Sequence, residues 1–329
     1  MKYTARWQMD LLHNPGDPGY PAEYLLSRIK GRRSTLIKNW KPLVYDQDLF
    51  LSTSPLKQGG PRTSIAPDRI WADLMREYRW VYGQMNQQLR VIFYPYFLYA
   101  ELRTVCICLR HLRDKKEGAI DEVLSKSLLS DEVKGVFVRS SDLAEAVAGV
   151  ERLFSKLSKK FTGLSVVAQK EGLRGVEQRL TETYLAVMVG SKLHPLLQMF
   201  FSRLVDARNI MSLYKYLRLE HTGRPPILPG GSIAEGKLRE LAAKDDIVAV
   251  GPVIRALTGI KVERPEPTMV ELALYKGITR WLRTEGREPF GVGPILDYLW
   301  RCSIEAMNLS VLYQGKDLER DIVAAELVM

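Results

Sequence analysis

Residues 201–218 read FSRLVDARNIMSLYKYLR, and this stretch decides the fold. At helical spacing Ile210, Leu213, Tyr214 and Leu217 fall at i, i+3, i+4 and i+7, forming one apolar stripe. Asp206 and Asn209 stand on the same stripe, four residues before Ile210 and Leu213 respectively. A carboxylate on a buried helix face is costly unless it is paired or hydrogen-bonded. The pattern therefore predicts a helix that carries a polar anchor inside a core.

The same device occurs three times. Tyr96-x4-Glu101-x2-Thr104-Val105-x2-Cys108, Phe201-x4-Asp206-x2-Asn209-Ile210-x2-Leu213 and Trp300-x4-Glu305-x2-Asn308-Leu309-x2-Leu312 share one template of aromatic, acid, amide or hydroxyl, and two apolar positions. The acids lie 105 and then 99 residues apart. An upstream element, Val176-Glu177-x2-Leu180, recurs as Val270-Glu271-x2-Leu274, while the matching place in the first copy is Ile70-Trp71-x2-Leu74. One copy is easily met by any amphipathic helix; three at near-equal spacing predict an internal threefold repeat. Its units are 1–118, 119–220 and 221–329. Glu101, Thr104, Glu177, Asp206, Asn209, Glu271, Glu305 and Asn308 are the expected structural anchors, with Asp206 and Glu305 buried and hydrogen-bonded inside their own units.

Period-two alternation is almost absent, so the expected fold class is all-α. A first helix is expected from Pro21 to Trp40, and a loop from Tyr45 to Pro67. Pro67 suits the first turn of a long helix with Trp71, Leu74, Tyr78, Tyr82 and Leu89 along one face. In the second unit Leu143, Val147, Val150, Phe154, Leu157 and Phe161 alternate steps of four and three, and Asp142 with Glu145 forms a capping box ahead of them. A helix from Val176 to Val189 leads past Gly190 and Pro195 into the anchor helix. The third unit opens on the breaker-rich HTGRPPILPGG, followed by helices at 233–243, 247–257 and 269–284 and the last template.

Composition is that of an ordinary globular protein, 46% hydrophobic and 26% charged. The longest apolar run, Val91 to Ala100, is about half of what a spanning helix needs, and the first residues carry no apolar segment of a signal peptide. Three cysteines in a long chain fit a reducing compartment. Cys106 and Cys108 point to nearly opposite sides of a helix and cannot share a metal. A net charge of +10 suggests an anionic partner: nucleic acid, a lipid surface or an acidic protein. Between Arg28 and Lys41 stand six basic residues and no acid. Leu25, Ile29, Leu36 and Ile37 supply an apolar side there, so the stretch reads as the solvated face of a helix rather than a dedicated patch.

Catalytic signatures are missing. Gly231-x4-Gly236-Lys237 imitates a phosphate-binding loop, but Leu238 stands where a magnesium-holding Ser or Thr belongs, and prolines rather than a strand precede it. The same residues read better as a helix start, with Ser232 as cap and Glu235 three residues on. His13, His111, His194 and His221 show no metal-ligand spacing. No cofactor is expected.

The closing residues carry a resemblance. Pro294-Ile295, Tyr298-Leu-Trp300, Glu305-x2-Asn308-Leu309 and Gly315-Lys316 together resemble the C-terminal end of the C subunit of A-type and V-type rotary ATPases, whose eukaryotic counterpart is the d subunit of the V-ATPase. Pro229-Gly230-Gly231 with Leu238 and Leu241 is similar to that family's helix entry. Val176-Glu177-x2-Leu180 and Asp206-x2-Asn209 resemble its second repeat, and Tyr24-Leu-x2-Arg28-x3-Arg32 its opening helix. The first repeat departs from the pattern at Trp71 and Thr104. The resemblance implies a funnel of three helical repeats without chemistry of its own. It also implies a place on the cytoplasmic mouth of the membrane rotor ring, where the funnel receives the foot of the central axle (the D- and F-type subunits). Such a protein would transmit torque between ATP turnover and proton or sodium movement, peripheral to the membrane and without a transmembrane segment or nucleic-acid partner. A basic helical nucleic-acid-binding or scaffold protein and a soluble helical enzyme are the alternatives. The first lacks a basic stripe interleaved with aromatics, and the second lacks a convergent site.

Overall fold

The computed structural model of the chain describes residues 10–46, 49–50, 67–218, 225–244, 246–262, 266–289 and 291–329. Most of the loop expected between Tyr45 and Pro67, parts of the breaker-rich segments at 219–224 and 263–265, and His221 lie outside them. The regular structure of the described residues is helical, and their only β pairing is an isolated bridge between Leu12 and Leu129. The all-α reading therefore holds.

Two compact units alternate along the chain. The first comprises the lead up to Tyr20, residues 75–205 and residues 228–231. Its spine is α4 (Gln87–Arg113), which follows α3 (Pro67–Gln84) and is surrounded by α5 (Glu117–Lys126), α6 (Asp131–Arg139), α7 (Leu143–Leu157) and α8 (Leu164–Val189). The Asn86 side chain caps α4 by accepting from Leu89 N at 3.0 Å. By length and hydropathy α4 would pass for a membrane span, but two-thirds of its apolar window (67%) is buried inside the protein, and its buried Arg90, Glu101 and Thr104 mark it as a core helix. Pro95 lies inside α4, and Tyr184 of α8 donates its hydroxyl to Pro95 O at 2.8 Å, tying the two helices together there. Asp142 caps α7 as expected, accepting from Glu145 N, while the return bond of Glu145 goes to Ser141 N, one residue before the cap, both at 2.8 Å.

The second unit comprises residues 21–74, 206–227 and 232–329. It holds α1 (Ala22–Arg33), α2 (Lys41–Tyr45), α10 (Glu235–Lys244), α11 (Val250–Thr258), α12 (Pro267–Glu285), α13 (Gly293–Gln314) and α14 (Arg320–Ala325). The anchor helix α9 (Pro195–Arg218) begins in the first unit and ends in the second. There its stripe of Ile210, Leu213, Tyr214 and Leu217 packs into one core with Leu238, Leu241, Ile254, Val270 and Leu274.

Several elements differ from expectation. The long helix expected from Pro67 ends at Gln84, so Leu89 stands on the next helix behind the Asn86 cap. The first helix stops at Arg33, where the Ser34 and Thr35 hydroxyls bond back to Gly31 O and Arg32 O at 2.6 and 2.7 Å. Such local bonds compete with helix continuation. The helix expected from Val176 begins at Leu164 and is interrupted at Gly172, whose φ of 69° breaks the helical path. Helices α6 and α14, only 9 and 6 residues long, are too short for periodicity to announce.

Candidate functional site

Each of the three template acids accepts a backbone N–H, and the first two do so in the same way. Glu101 is fully buried. Its carboxylate accepts from Ser127 Oγ at 2.9 Å, from Leu128 N and from the Thr104 hydroxyl one turn along its own helix. Burial pushes this carboxyl up, opposed by those three hydrogen bonds and the charge of Lys134. Asp206 is likewise fully buried. It accepts from Ser232 Oγ at 2.5 Å, Ser232 N at 3.0 Å and Ile233 N at 3.0 Å. Both serines lie 26 residues after their acids, and both following backbone amides lie 27 after.

The third acid bonds differently. Glu305 is half-buried and accepts from Ile37 N at 2.7 Å, 268 residues back in the chain. Burial pushes its carboxyl up to about 7, against the opposing hydrogen bond from Ile37 and the charge of Arg301. Both acids take partners outside the repeats expected to hold them, 119–220 for Asp206 and 221–329 for Glu305, which corrects that expectation: Asp206 reaches Ser232 and Ile233, and Glu305 reaches the segment after α1. Each of these bonds lies within the second compact unit.

Why the second staple forms is visible in the backbone. Gly230 sits at φ 89°, and a Cβ there would come within 2.4 Å of Val189 Cγ2, so the turn accepts only glycine. That turn delivers Ser232 and Ile233 to Asp206. Ser232 thus gives its hydroxyl to Asp206 instead of capping α10, which corrects its expected role. The phosphate-loop imitation is spent on the same contact.

The amide positions add a second layer. Asn308 is buried and holds both polar atoms of Val328, donating from Nδ2 to its carbonyl and accepting its N–H at Oδ1, each at 3.0 Å. Asn209 and Thr104 are buried on the same helical face as their acids. The template aromatics lean on the helix before them. Tyr96 OH meets Tyr78 OH at 2.9 Å, Trp300 Nε1 donates to Thr279 Oγ1 at 2.8 Å, and Phe201 meets Tyr184 edge to face at 6.3 Å.

The upstream acids behave otherwise. Glu177, half-buried, forms a bidentate fork with the more exposed Arg110 at 2.6 and 2.7 Å, a side-chain pair between two helices rather than a hold on the backbone. Glu271 is exposed, although Val270 and Leu274 beside it are buried, so it lacks the burial expected of an anchor.

One anchor escaped the sequence. Asp297, fully buried on α13, pairs with Arg33 at 2.7 Å, and Arg33 also donates to Gly286 O at 3.3 Å. Burial pushes the Asp297 carboxyl up, while Arg33, Arg301 and Arg283 hold it down. The available signal was an acid inside Ile295-Leu296-Asp297-Tyr298-Leu299-Trp300, a run otherwise apolar. Cys106 is half-buried and Cys108 buried; both are free, and burial pushes both thiols up to about 12. Among the described residues no group of histidine, cysteine and acidic side chains has the makings of a metal site.

Comparison with known proteins gives a family. The ATP synthase (C/AC39) subunit family matches residues 58–323. The C subunit of the A-type ATP synthase of Methanocaldococcus jannaschii is 26% identical over 172 residues, covering 46% of this chain and 43% of the relative. The chain thus matches less than half the length of that relative.

Proposed function

The chain belongs to the ATP synthase (C/AC39) subunit family, and from that premise we propose that it is the non-catalytic piece joining the central axle to the membrane rotor ring. Its partners are the D- and F-type axle subunits on one side and the ring on the other. It sits on the cytoplasmic face, peripheral to the membrane, and passes torque between ATP turnover and proton or sodium movement. Three quasi-equivalent units, 1–118, 119–220 and 221–329, form a funnel-shaped socket in this reading.

The family match over residues 58–323 carries the proposal. The structural support is stiffness. A torque-bearing joint must resist shear between its helices, and each template acid ties its helix to a separate backbone segment by accepting hydrogen bonds from its N–H groups. Such bonds are directional and resist sliding in a way that apolar packing alone does not. Glu101, Thr104, Asp206, Asn209, Glu305 and Asn308 are therefore proposed as stiffening residues, with no part in bond-making.

A pull-down with purified axle subunits and, separately, detergent-solubilised ring tests the reading. The chain is expected to bind both, more weakly as salt rises, and to hydrolyse no ATP by itself. Binding to neither, with tight binding to DNA or RNA instead, would overturn it.

A further inference from the structure

The acid-free stretch from Arg28 to Lys41 is not the continuous helix face that periodicity suggests. The helix ends at Arg33, and the remainder runs as a turn into α2. Three acids of the closing helices fix this ribbon: Asp297 through Arg33, Glu305 through Ile37 N and Asp321 through Tyr45 OH, each at 2.7 Å. Its apolar side chains, Leu25, Leu26, Ile29, Leu36, Trp40 and Val44, are buried. Lys30, Lys38 and Lys41 remain exposed, along with Arg28, which lies 6.0 Å over the Tyr24 ring. The nearest acids along the sequence are Glu23 and Asp46. The result is a fixed strip whose underside consumes negative charge and whose outer side carries lysine ammonium groups.

We propose that this ribbon docks on the anionic surface of a lipid bilayer. A protein partner fits it poorly, because protein interfaces are built around an apolar or aromatic centre and are depleted in lysine. The apolar residues named here all point inward, and the outward cations are mainly lysines. A nucleic-acid strand would call for aromatics interleaved with the cations and for guanidinium forks, whereas the exposed Tyr45 ring lies beyond Lys41 with its hydroxyl held by Asp321, and Arg33 is committed to Asp297. Anionic headgroups impose no such geometry. Each lysine near them adds an independent increment that falls off within a Debye length, and a fixed ribbon presents its charges without ordering cost.

Co-sedimentation of the full chain with phosphatidylcholine vesicles, with and without phosphatidylserine, reads the proposal directly. Binding is expected only with phosphatidylserine. Lys30→Gln, Lys38→Gln and Lys41→Gln together are expected to weaken it roughly a hundredfold, from about fivefold per lysine. These side chains are exposed, so the helical signal should be unchanged. The control triple Lys159→Gln, Lys160→Gln and Lys170→Gln removes the same charge from exposed positions elsewhere and should cost far less. Equal losses from both triples, no loss from either, no preference for phosphatidylserine, or a ribbon triple that abolishes DNA binding while sparing vesicles would each overturn the inference. Axle binding is measured alongside: axle binding kept with vesicle binding absent overturns the ribbon alone, and the reverse result overturns only the rotary role.

Discussion

Ser232 gives both its hydroxyl and its backbone N–H to a single oxygen of Asp206, at 2.5 and 3.0 Å. Ile233 N takes the other oxygen at 3.0 Å. The carboxylate thus stands in for backbone partners that the turn after Pro229 cannot find in a helix. Asp206→Ala strands two backbone donors at once and is expected to cost about 2–4 kcal/mol. Ser232→Ala loses only the hydroxyl bond and should cost no more than about 1 kcal/mol. Urea unfolding of the two variants checks the ranking, and an Asp206→Ala protein as stable as the parent would refute the buried-anchor account.

Glu305 gives stability a pH dependence of definite sign. Its carboxyl is raised from 4.5 to about 7 in the folded protein, so between those values the native state keeps a proton that the unfolded chain releases. Stability from this group is greatest below that window, falls as pH rises through it, and is level above. Glu305→Gln keeps an oxygen to accept from Ile37 N but cannot ionise. The variant should match the parent in mild acid and exceed it by about 1–3 kcal/mol above neutrality. Denaturant titrations across the window measure the difference. A difference that does not change with pH would count against the assignment.

Asn308 clamps Val328, which is buried beside Leu327. Asn308→Leu leaves the N–H and carbonyl of Val328 without partners, at a cost of about 1–3 kcal/mol. The segment around Val328 should then open locally, so amide hydrogen exchange at Val328 is expected to quicken well before global unfolding. Unchanged exchange would show that apolar packing alone holds the segment.

Gly277 tests the packing of α11 on α12. A Cβ built there comes within 2.8 Å of Thr258 Cβ and 3.0 Å of Thr258 Cα. Because backbone as well as side chain is in the way, relief requires the helices to separate. Gly277→Ala is expected to destabilise by about 1–3 kcal/mol even though alanine is the better helix former. Thermal unfolding gives the sign.

The sequence made some of this legible and hid the rest for physical reasons. Helical period, an acid on an apolar stripe and near-equal spacing are properties of side chains, so Glu101, Asp206 and Glu305 could be singled out by reading. Their chief donors are the backbone amides of Leu128, Ile233 and Ile37, and a backbone N–H leaves no trace in the letters. The serines 26 residues after the first two acids were the one readable clue. Glu271 misled because adjacent helical positions differ by about 100°, so a residue between buried neighbours can face outward. Ser232 misled because a buried carboxylate outcompetes a helix terminus for a hydroxyl. Arg33 and Asp297 lie too far apart in the chain to be paired by pattern.

The separation of Glu305 from Ile37 also sets an order of events during synthesis. The Glu101 and Asp206 staples span 26 and 27 residues, so each can close soon after its serine leaves the ribosome. The Glu305 staple spans 268. The cationic segment around Ile37 must wait, without Asp297 or Glu305, until the closing helices have been made. Helix α1 is thus seated late, and Leu25, Leu26 and Ile29 stay without those helices while the intervening residues are synthesised. Chaperone demand and premature aggregation should therefore concentrate at this segment.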